Sequence, residues 1–131
     1  MIVVDTSIFL AVALDEPEKS NILRLTKGAV IAAPEVMPYE LGNALSAMTK
    51  RGRLKPDEAR EAHRICNSIP VRLQPVDIWR ALDIALRFNS YAYDAYFLEC
   101  SRTLACPLLT LDRSLGRNAV QLGVEVLEAS S

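Results

Sequence analysis

The sequence predicts an α/β domain built on a mainly parallel sheet of four to five short strands flanked by helices. Three observations carry this. Short apolar or β-branched runs alternate with longer stretches of helical periodicity, the pattern of parallel strands joined by crossover helices. The chain has 131 residues, 50% of them hydrophobic, enough to bury a sizeable core without disulfides or metals as staples. No linker, repeat or low-complexity segment interrupts it, so residues 1–131 read as a single domain.

Ile2 to Val4 is the first strand and ends at Asp5. Ser7 to Leu14 reads as a helix. Asp15-Glu16-Pro17-Glu18 is a turn and a new start, with Pro17 in the first helical turn and Glu18 as the capping partner of Asp15. Ile22 and Leu25 form the apolar side of that second helix, and Gly28 closes it. Ala29 to Ala32 predicts a second strand. Pro34 and Pro38 belong near a helix start, because an interior proline costs about 3 kcal/mol. That helix runs to about Lys50, with Leu41, Ala44, Leu45 and Met48 at helical spacing, and Gly52 marks its end. Pro56 opens another helix, Asp57 to about Asn67, whose apolar side is Ala59, Ala62 and Cys66. Val71 to Leu73 predicts the third strand. Pro75 opens a helix with Ile78, Leu82 and Ala85 on one face and Trp79 and Leu86 beside it. After a break at Asn89-Ser90-Tyr91, a strongly apolar helix spans Tyr93 to Leu104, aligning Phe97, Cys100 and Leu104. Pro107 to Thr110 reads as a buried strand, Arg113 to Asn118 as a short helix and Val124 to Leu127 as the last strand.

Ligands of a parallel sheet gather at the carboxyl ends of its strands. Asp5 directly follows the first strand, and Asp112 lies just beyond the Leu108–Thr110 run. Asp94 opens the Tyr93 helix. Glu40 sits on the Pro34–Lys50 helix, off its Leu41/Leu45/Met48 face, with Asn43 on its own side. Four converging carboxylates would repel one another and raise their own pKa values. A hard divalent cation relieves this: Mg²⁺ is held by a few carboxylates and keeps several waters, and Mn²⁺ takes the same oxygen ligands. Such a cation activates water and orients a phosphate. Each acid also has a plain structural reading. Asp5, with Thr6 and Ser7, suits a helix cap, as do Asp94 and Asp112, and Glu40 suits a solvated helix face. Spacing alone leaves both readings open.

Four segments now resemble a known family, the PIN domain, and within it the VapC-type toxins of prokaryotic toxin–antitoxin pairs. They are Val3-Val4-Asp5-Thr6-Ser7-Ile8-Phe9-Leu10, Tyr39-Glu40-Leu41 with Asn43, Tyr93-Asp94-Ala95-Tyr96-Phe97-Leu98, and Leu109-Thr110-Leu111-Asp112-Arg113 with Leu115. Each is short; their order and spacing across nearly the whole chain make the match specific. The resemblance implies a PIN-like fold and hydrolysis of RNA phosphodiester bonds by metal-activated water. It implies Asp5 and Asp94 as principal ligands of Mg²⁺ or Mn²⁺. Glu40 would bind metal or orient the attacking water, and Asp112 would complete the site directly or through water. Thr6, Ser7, Asn43 and Thr110 match small polar positions around these acids. The resemblance further implies an RNA substrate, a homodimer, and a cognate antitoxin whose tail covers the acidic groove and sends a basic side chain toward the acids.

Net charge is −1, from 15 basic and 16 acidic residues, which gives no strongly basic nucleic-acid surface. With the four acids neutralised, −1 becomes +3, compatible with a phosphate-bearing partner. Lys50, Arg51 and Arg53, with Lys55, cluster around Gly52 and are candidate RNA contacts or a solvated turn; Arg113 and Arg117, beside Asp112, are a second candidate pair. His63, the only histidine, has no partner for nucleophilic catalysis and reads as a surface or packing residue. Glu99 reads as solvated. Trp79, Tyr91, Tyr93 and Tyr96 read as core or interface rather than stacking platforms. Cys66, Cys100 and Cys106 fit no zinc or redox spacing and read as buried thiols of a reducing compartment. The chain opens on a strand without a basic leader, and its longest apolar run is far below a membrane span, so a cytoplasmic protein is expected. Two other functions stay open: a catalytically silent PIN-fold binding protein, and a Mg-dependent phosphatase. Ser7 stands where such phosphatases usually carry a second Asp.

Overall fold

A computed structural model describes residues 1–129. In chain order the elements are β1 (Ile2–Val4), α1 (Thr6–Ala13), α2 (Lys19–Thr26), β2 (Ile31–Pro34), α3 (Met37–Lys50), α4 (Pro56–Ser68), β3 (Arg72–Gln74), α5 (Ile78–Phe88), α6 (Ala92–Leu104), β4 (Leu108–Leu109), α7 (Arg113–Gln121) and β5 (Val126–Leu127). All five strands are parallel and form one sheet in the order β3-β2-β1-β4-β5. The α/β expectation therefore holds. The chain leaves β1 toward β2 and β3 on one side, then returns to place β4 and β5 on the other. The gap between the carboxyl ends of β1 and β4 is thus the switch point, where a doubly wound sheet opens a crevice.

Period-two alternation splits the core between the two faces of the sheet. Val3, Ala32 and Leu108 point into one cluster with Ala81, Ala95, Leu98 and Leu115. Ile2, Val4, Ala33 and Leu109 point into the other with Ile8, Phe9, Leu41, Leu45 and Cys66. The central strand β1 is hydrogen-bonded on both sides and buried along its whole length, as expected of parallel sheets. No helix among the described residues is long and apolar enough to cross a membrane.

Several boundaries differ from the sequence expectation. The second strand is Ile31–Pro34 rather than Ala29–Ala32, and Pro34 ends a strand instead of opening a helix. Pro38 does sit at a helix start, in the first turn of α3. Asp15 and Glu18 form no capping box. Glu18 itself precedes α2, while Asp15 lies at φ 56° and pairs with Lys19 at 3.3 Å. The third strand is displaced to Arg72–Gln74 and the last is reduced to Val126–Leu127. The helix after Asp112 runs on to Gln121.

The main change concerns α5. Its inward face is Ala81, Ile84 and Ala85, whereas Ile78, Trp79, Leu82 and Leu86 are exposed. This helix is apolar on two sides, and the small residues won. Ala81 and Ala85 pack with Ala95 of α6 in one cluster, where small side chains let the two helices approach closely.

Helix α6 ends with Ala105 in the left-handed region at φ 52°. The amide of Cys106 donates to the Ser101 carbonyl at 3.1 Å, which fixes that conformation. An L side chain there costs roughly 1–2 kcal/mol. Ala105→Gly is therefore expected to raise stability by about 1 kcal/mol, net of the entropy glycine gains in the unfolded chain. A urea midpoint unchanged or lowered at constant slope would contradict this.

Candidate active site

Asp5 is the residue after β1, and its amide continues the β1–β4 ladder to Leu109 O at 3.3 Å. That bond carries it to the switch point. It stands before α1, yet its carboxylate does not cap that helix. Instead Ser7 Oγ donates to Oδ1 at 2.6 Å and Thr110 Oγ1 donates to Oδ2 at 2.6 Å. The two hydroxyls are themselves fixed: Ser7 Oγ accepts from the Leu111 amide at 3.1 Å, and Thr110 Oγ1 from the Asp112 amide at 2.9 Å. Asp5 is only 6% exposed. Burial pushes its carboxyl up to about 6, against the two hydroxyls, and the charge of Asp112 adds to the rise.

Glu40 occupies the first turn of α3 and Asp94 the first turn of α6. Burial raises both carboxyls above the usual range. The negative charge of Asp94 adds to the rise at Glu40, and that of Asp112 adds to the rise at Asp94. Glu40, Asp94, Asp112 and Asp5 therefore form one electrostatically linked chain across the switch point. Glu40 Oε2 and Thr6 Oγ1 are buried without a hydrogen-bond partner. The Thr6 hydroxyl is near enough to favour the charged form of Glu40, although the two do not meet in hydrogen-bond geometry. Unpaired buried polar atoms are costly unless something answers them. Hard oxygen donors, raised carboxyls and orphaned oxygens together fit a hydrated divalent cation. Among the described residues no three acidic, histidine or cysteine side chains close into a ready-made metal cage, so such an ion would be held by few protein oxygens and several waters.

Asp112 differs from the other three. It is exposed, and its Oδ1 caps α7 by accepting from Ser114 N at 2.9 Å and Leu115 N at 3.1 Å. The capping reading is correct for Asp112 and incorrect for Asp5. Nor does Asp94 cap α6: Tyr91 holds that position.

Not every expected neighbour converges. Asn43 is exposed, and its side chain has no hydrogen bond among the described residues. Lys50, Arg51 and Arg53 are exposed at the far end of α3, about 15 Å along the axis from Glu40 at 1.5 Å per residue. Arg113 and Arg117 do reach the edge: with Thr110, Asp112 and Val126 they line a cleft of about 590 Å³ beyond β4 and β5. On the other flank, beyond β2 and β3, Tyr39 and Tyr96 line an apolar cleft of about 310 Å³.

Glu99 is not solvated. Its side chain is 2% exposed, with Arg102 Nε 3.6 Å from Oε1 and Thr103 Oγ1 donating to Oε2 at 3.3 Å. The i+3 and i+4 spacing of these partners was the available signal. His63 is exposed, Cys66 and Cys100 are buried, and Cys106 is half-buried.

A PIN domain family profile matches residues 2–121. Over 120 residues the chain is 28% identical to Ribonuclease VapC9 of Mycobacterium tuberculosis, covering 88% of each chain. PAE2754 from Pyrobaculum aerophilum shares the fold at a TM-score of 0.70 and 23% identity, over 95% of this chain and 82% of that one. VapC20 of Mycobacterium tuberculosis, a sarcin-ricin-loop-cleaving toxin, shares it at a TM-score of 0.62 and 17% identity, over 89% and 94%.

Proposed function

This chain belongs to the PIN domain family, and from that premise we propose that it is a Mg²⁺- or Mn²⁺-dependent endoribonuclease, the toxin of a toxin–antitoxin pair. The observation that carries the reading is the state of Asp5. A buried carboxylate left out of the adjacent helix cap, clamped by two hydroxyls and raised to about 6, is poorly explained by stability alone. Perturbed acids in a crevice mark functional sites. The ribonuclease relative supports the same chemistry.

In this reading Asp5 and Asp94 hold the cation, Glu40 holds it or orients the attacking water, and Asp112 contributes through the oxygen not turned to α7. The bound ion would neutralise the acids and activate water toward phosphorus. Water adds at phosphorus, the bond to the leaving ribose oxygen breaks, and that oxygen takes up a proton. Ser7 and Thr110 keep the Asp5 carboxylate in one orientation, so no reorganisation is needed on substrate entry. Thr6, with its unpartnered hydroxyl, is a further polar contact for water beside Glu40. Arg113 and Arg117 meet substrate phosphates beside Asp112, and the more distant Lys50, Arg51 and Arg53 extend the contact along the backbone.

The reading carries two protein partners. An antitoxin tail would lay a basic side chain against the raised acids, answering the same electrostatic demand as the cation. A second copy would cover Trp79, Leu82 and Leu86, which recur at three- and four-residue spacing on the exposed side of α5. Three free cysteines fit a reducing, cytoplasmic setting.

The test is cleavage of host RNA by purified protein. Activity is expected with Mg²⁺ or Mn²⁺, lost in EDTA and restored by adding either ion in excess. Undiminished cleavage in EDTA would remove the metal from the mechanism. No cleavage under any condition would favour the silent binding protein.

A further inference from the structure

The two clefts that flank the acids have unlike chemistry. The cleft beyond β4 and β5 carries Arg113 and Arg117. The one beyond β2 and β3 is lined by Pro34, Glu35, Tyr39, Val76, Ile78 and Tyr96, without any basic residue. It lies at the same carboxyl edge of the sheet as the acids, since Pro34 ends β2 and Val76 follows β3. Tyr39 immediately precedes Glu40, and Tyr96 is two residues beyond Asp94.

We propose that this cleft receives one unpaired guanine base of the RNA, beside the scissile phosphate, and sets sequence preference there. The proposal rests on the ribonuclease reading and extends it. A phosphate finds no cation in this cleft: its walls are two phenol rings and aliphatic carbons, and its one charged group is a carboxylate that would repel it. A base has. Tyr39 is 79% exposed, a large aromatic face in water with no ring partner among the described residues. Tyr96 is half-buried and braced edge-on by Tyr93, ring centroids 6.0 Å apart and planes at 88°. Single-stranded bases stack on such rings whatever their identity. A volume of about 310 Å³ is at the small end of ligand pockets and suits one planar group.

Glu35 supplies the selectivity. Its amide is tied to Gln74 O at 2.9 Å, which anchors the residue at the cleft rim. Its carboxylate has no hydrogen bond or ion pair among the described residues. A carboxylate only accepts, with two oxygens side by side. Among the bases, guanine presents two adjacent donors, N1–H and the N2 amino group, on its pairing edge. That edge is open only in unpaired RNA.

The test uses fluorescein-labelled single-stranded RNAs that carry either one guanine or none in an adenine and uridine background. Affinity is read by anisotropy on the Asp5→Asn protein, so cutting does not interfere, and cleavage of the same RNAs is read on the protein with Asp5 intact. Guanine is expected to tighten binding and to lie next to the cut. Tyr39→Ala is expected to weaken binding of the guanine RNA about tenfold. Glu35→Gln is expected to lower guanine preference by about tenfold while leaving binding of guanine-free RNA unchanged. Both residues are exposed, so each variant should melt with the parent. Guanine-dependent binding that needs Tyr39 and Glu35 but occurs without cleavage would overturn the nuclease reading and keep the cleft. Cleavage with the same base preference in all three proteins would overturn the cleft and keep the nuclease. Binding that Tyr39→Ala weakens for a peptide but not for RNA would also overturn it.

Discussion

Asp5→Asn is expected to lower RNA cleavage by on the order of 10³-fold or more while making the metal-free protein more stable at neutral pH. The two effects have one cause. The Asp5 carboxyl titrates at about 6 in the fold, against 3.8 when unperturbed. Below the lower value the acid is protonated in both folded and unfolded chains, and no penalty exists. As pH rises between the two values, the unfolded chain gives up its proton while the folded one keeps it, so stability falls. Above the folded value the full penalty persists, roughly 3 kcal/mol for a shift of about two units. Asparagine does not ionise and escapes it. Its amide oxygen can still accept one of the two hydroxyl bonds, and the other hydroxyl can turn to accept from the amide. In EDTA, the stability gap between Asp5→Asn and the parent should therefore widen from about pH 4 to about pH 7 by about 2–3 kcal/mol, read from urea midpoints at each pH. Adding Mg²⁺ should close the gap by stabilising only the parent. A gap that stays constant across pH would show that Asp5 carries no ionisation penalty. An active Asp5→Asn protein would remove it from the chemistry.

The same residue shows how far the sequence could be read. Local pattern was enough for the alternation of strands and helices, the positions of Asp5 and Asp112 after their strands, and the burial of Phe97 and Cys100. It was not enough to tell a cap from a site acid. That distinction depends on Thr110, which reaches Asp5 across 105 positions of sequence, and on nothing within the Asp5-Thr6-Ser7 run except Ser7. Asp112 looked equivalent in sequence and turned out to cap α7. The inward face of α5 was misread for a related reason. Ile78, Leu82 and Leu86 are the more hydrophobic set, but α6 approaches closely through Ala95, and only Ala81 and Ala85 leave room. Tyr39 stood inside the second matching motif without a role, because whether a tyrosine faces solvent or core is decided by what lies across from it. Glu35 carried no local signal at all.

Thr110→Val should be the next most damaging change at the site, although it deletes no acid and conserves volume. Thr110 is buried, and its hydroxyl has two partners: it donates to Asp5 Oδ2 at 2.6 Å and accepts from the Asp112 amide at 2.9 Å. One atom thus fixes the orientation of the first acid and the start of the turn that carries the fourth. Valine keeps the branched shape but leaves Asp5 Oδ2 and the Asp112 amide unanswered. The bond to the Asp5 carboxylate is charge-assisted and contributes about 1.5–3 kcal/mol, and the neutral bond from the Asp112 amide about 0.5–1.5 kcal/mol. A carboxylate held by one hydroxyl instead of two is free to rotate about its remaining bond. Loss of such a support beside a metal ligand typically lowers metal affinity or activity 10- to 100-fold. The expected signature is a higher Mg²⁺ concentration for half-maximal cleavage, partly rescued by Thr110→Ser, which restores the hydroxyl without the methyl group. Stability should respond in the opposite sense to Asp5→Asn, because the hydroxyl lost in Thr110→Val opposes the rise in the Asp5 carboxyl and its removal enlarges the penalty at neutral pH. In the double variant with Asp5→Asn that part of the destabilisation should vanish, since no charge remains to be supported. A double-mutant cycle that gives additive values would mean that the two residues are not coupled and that Thr110 serves only the turn before α7.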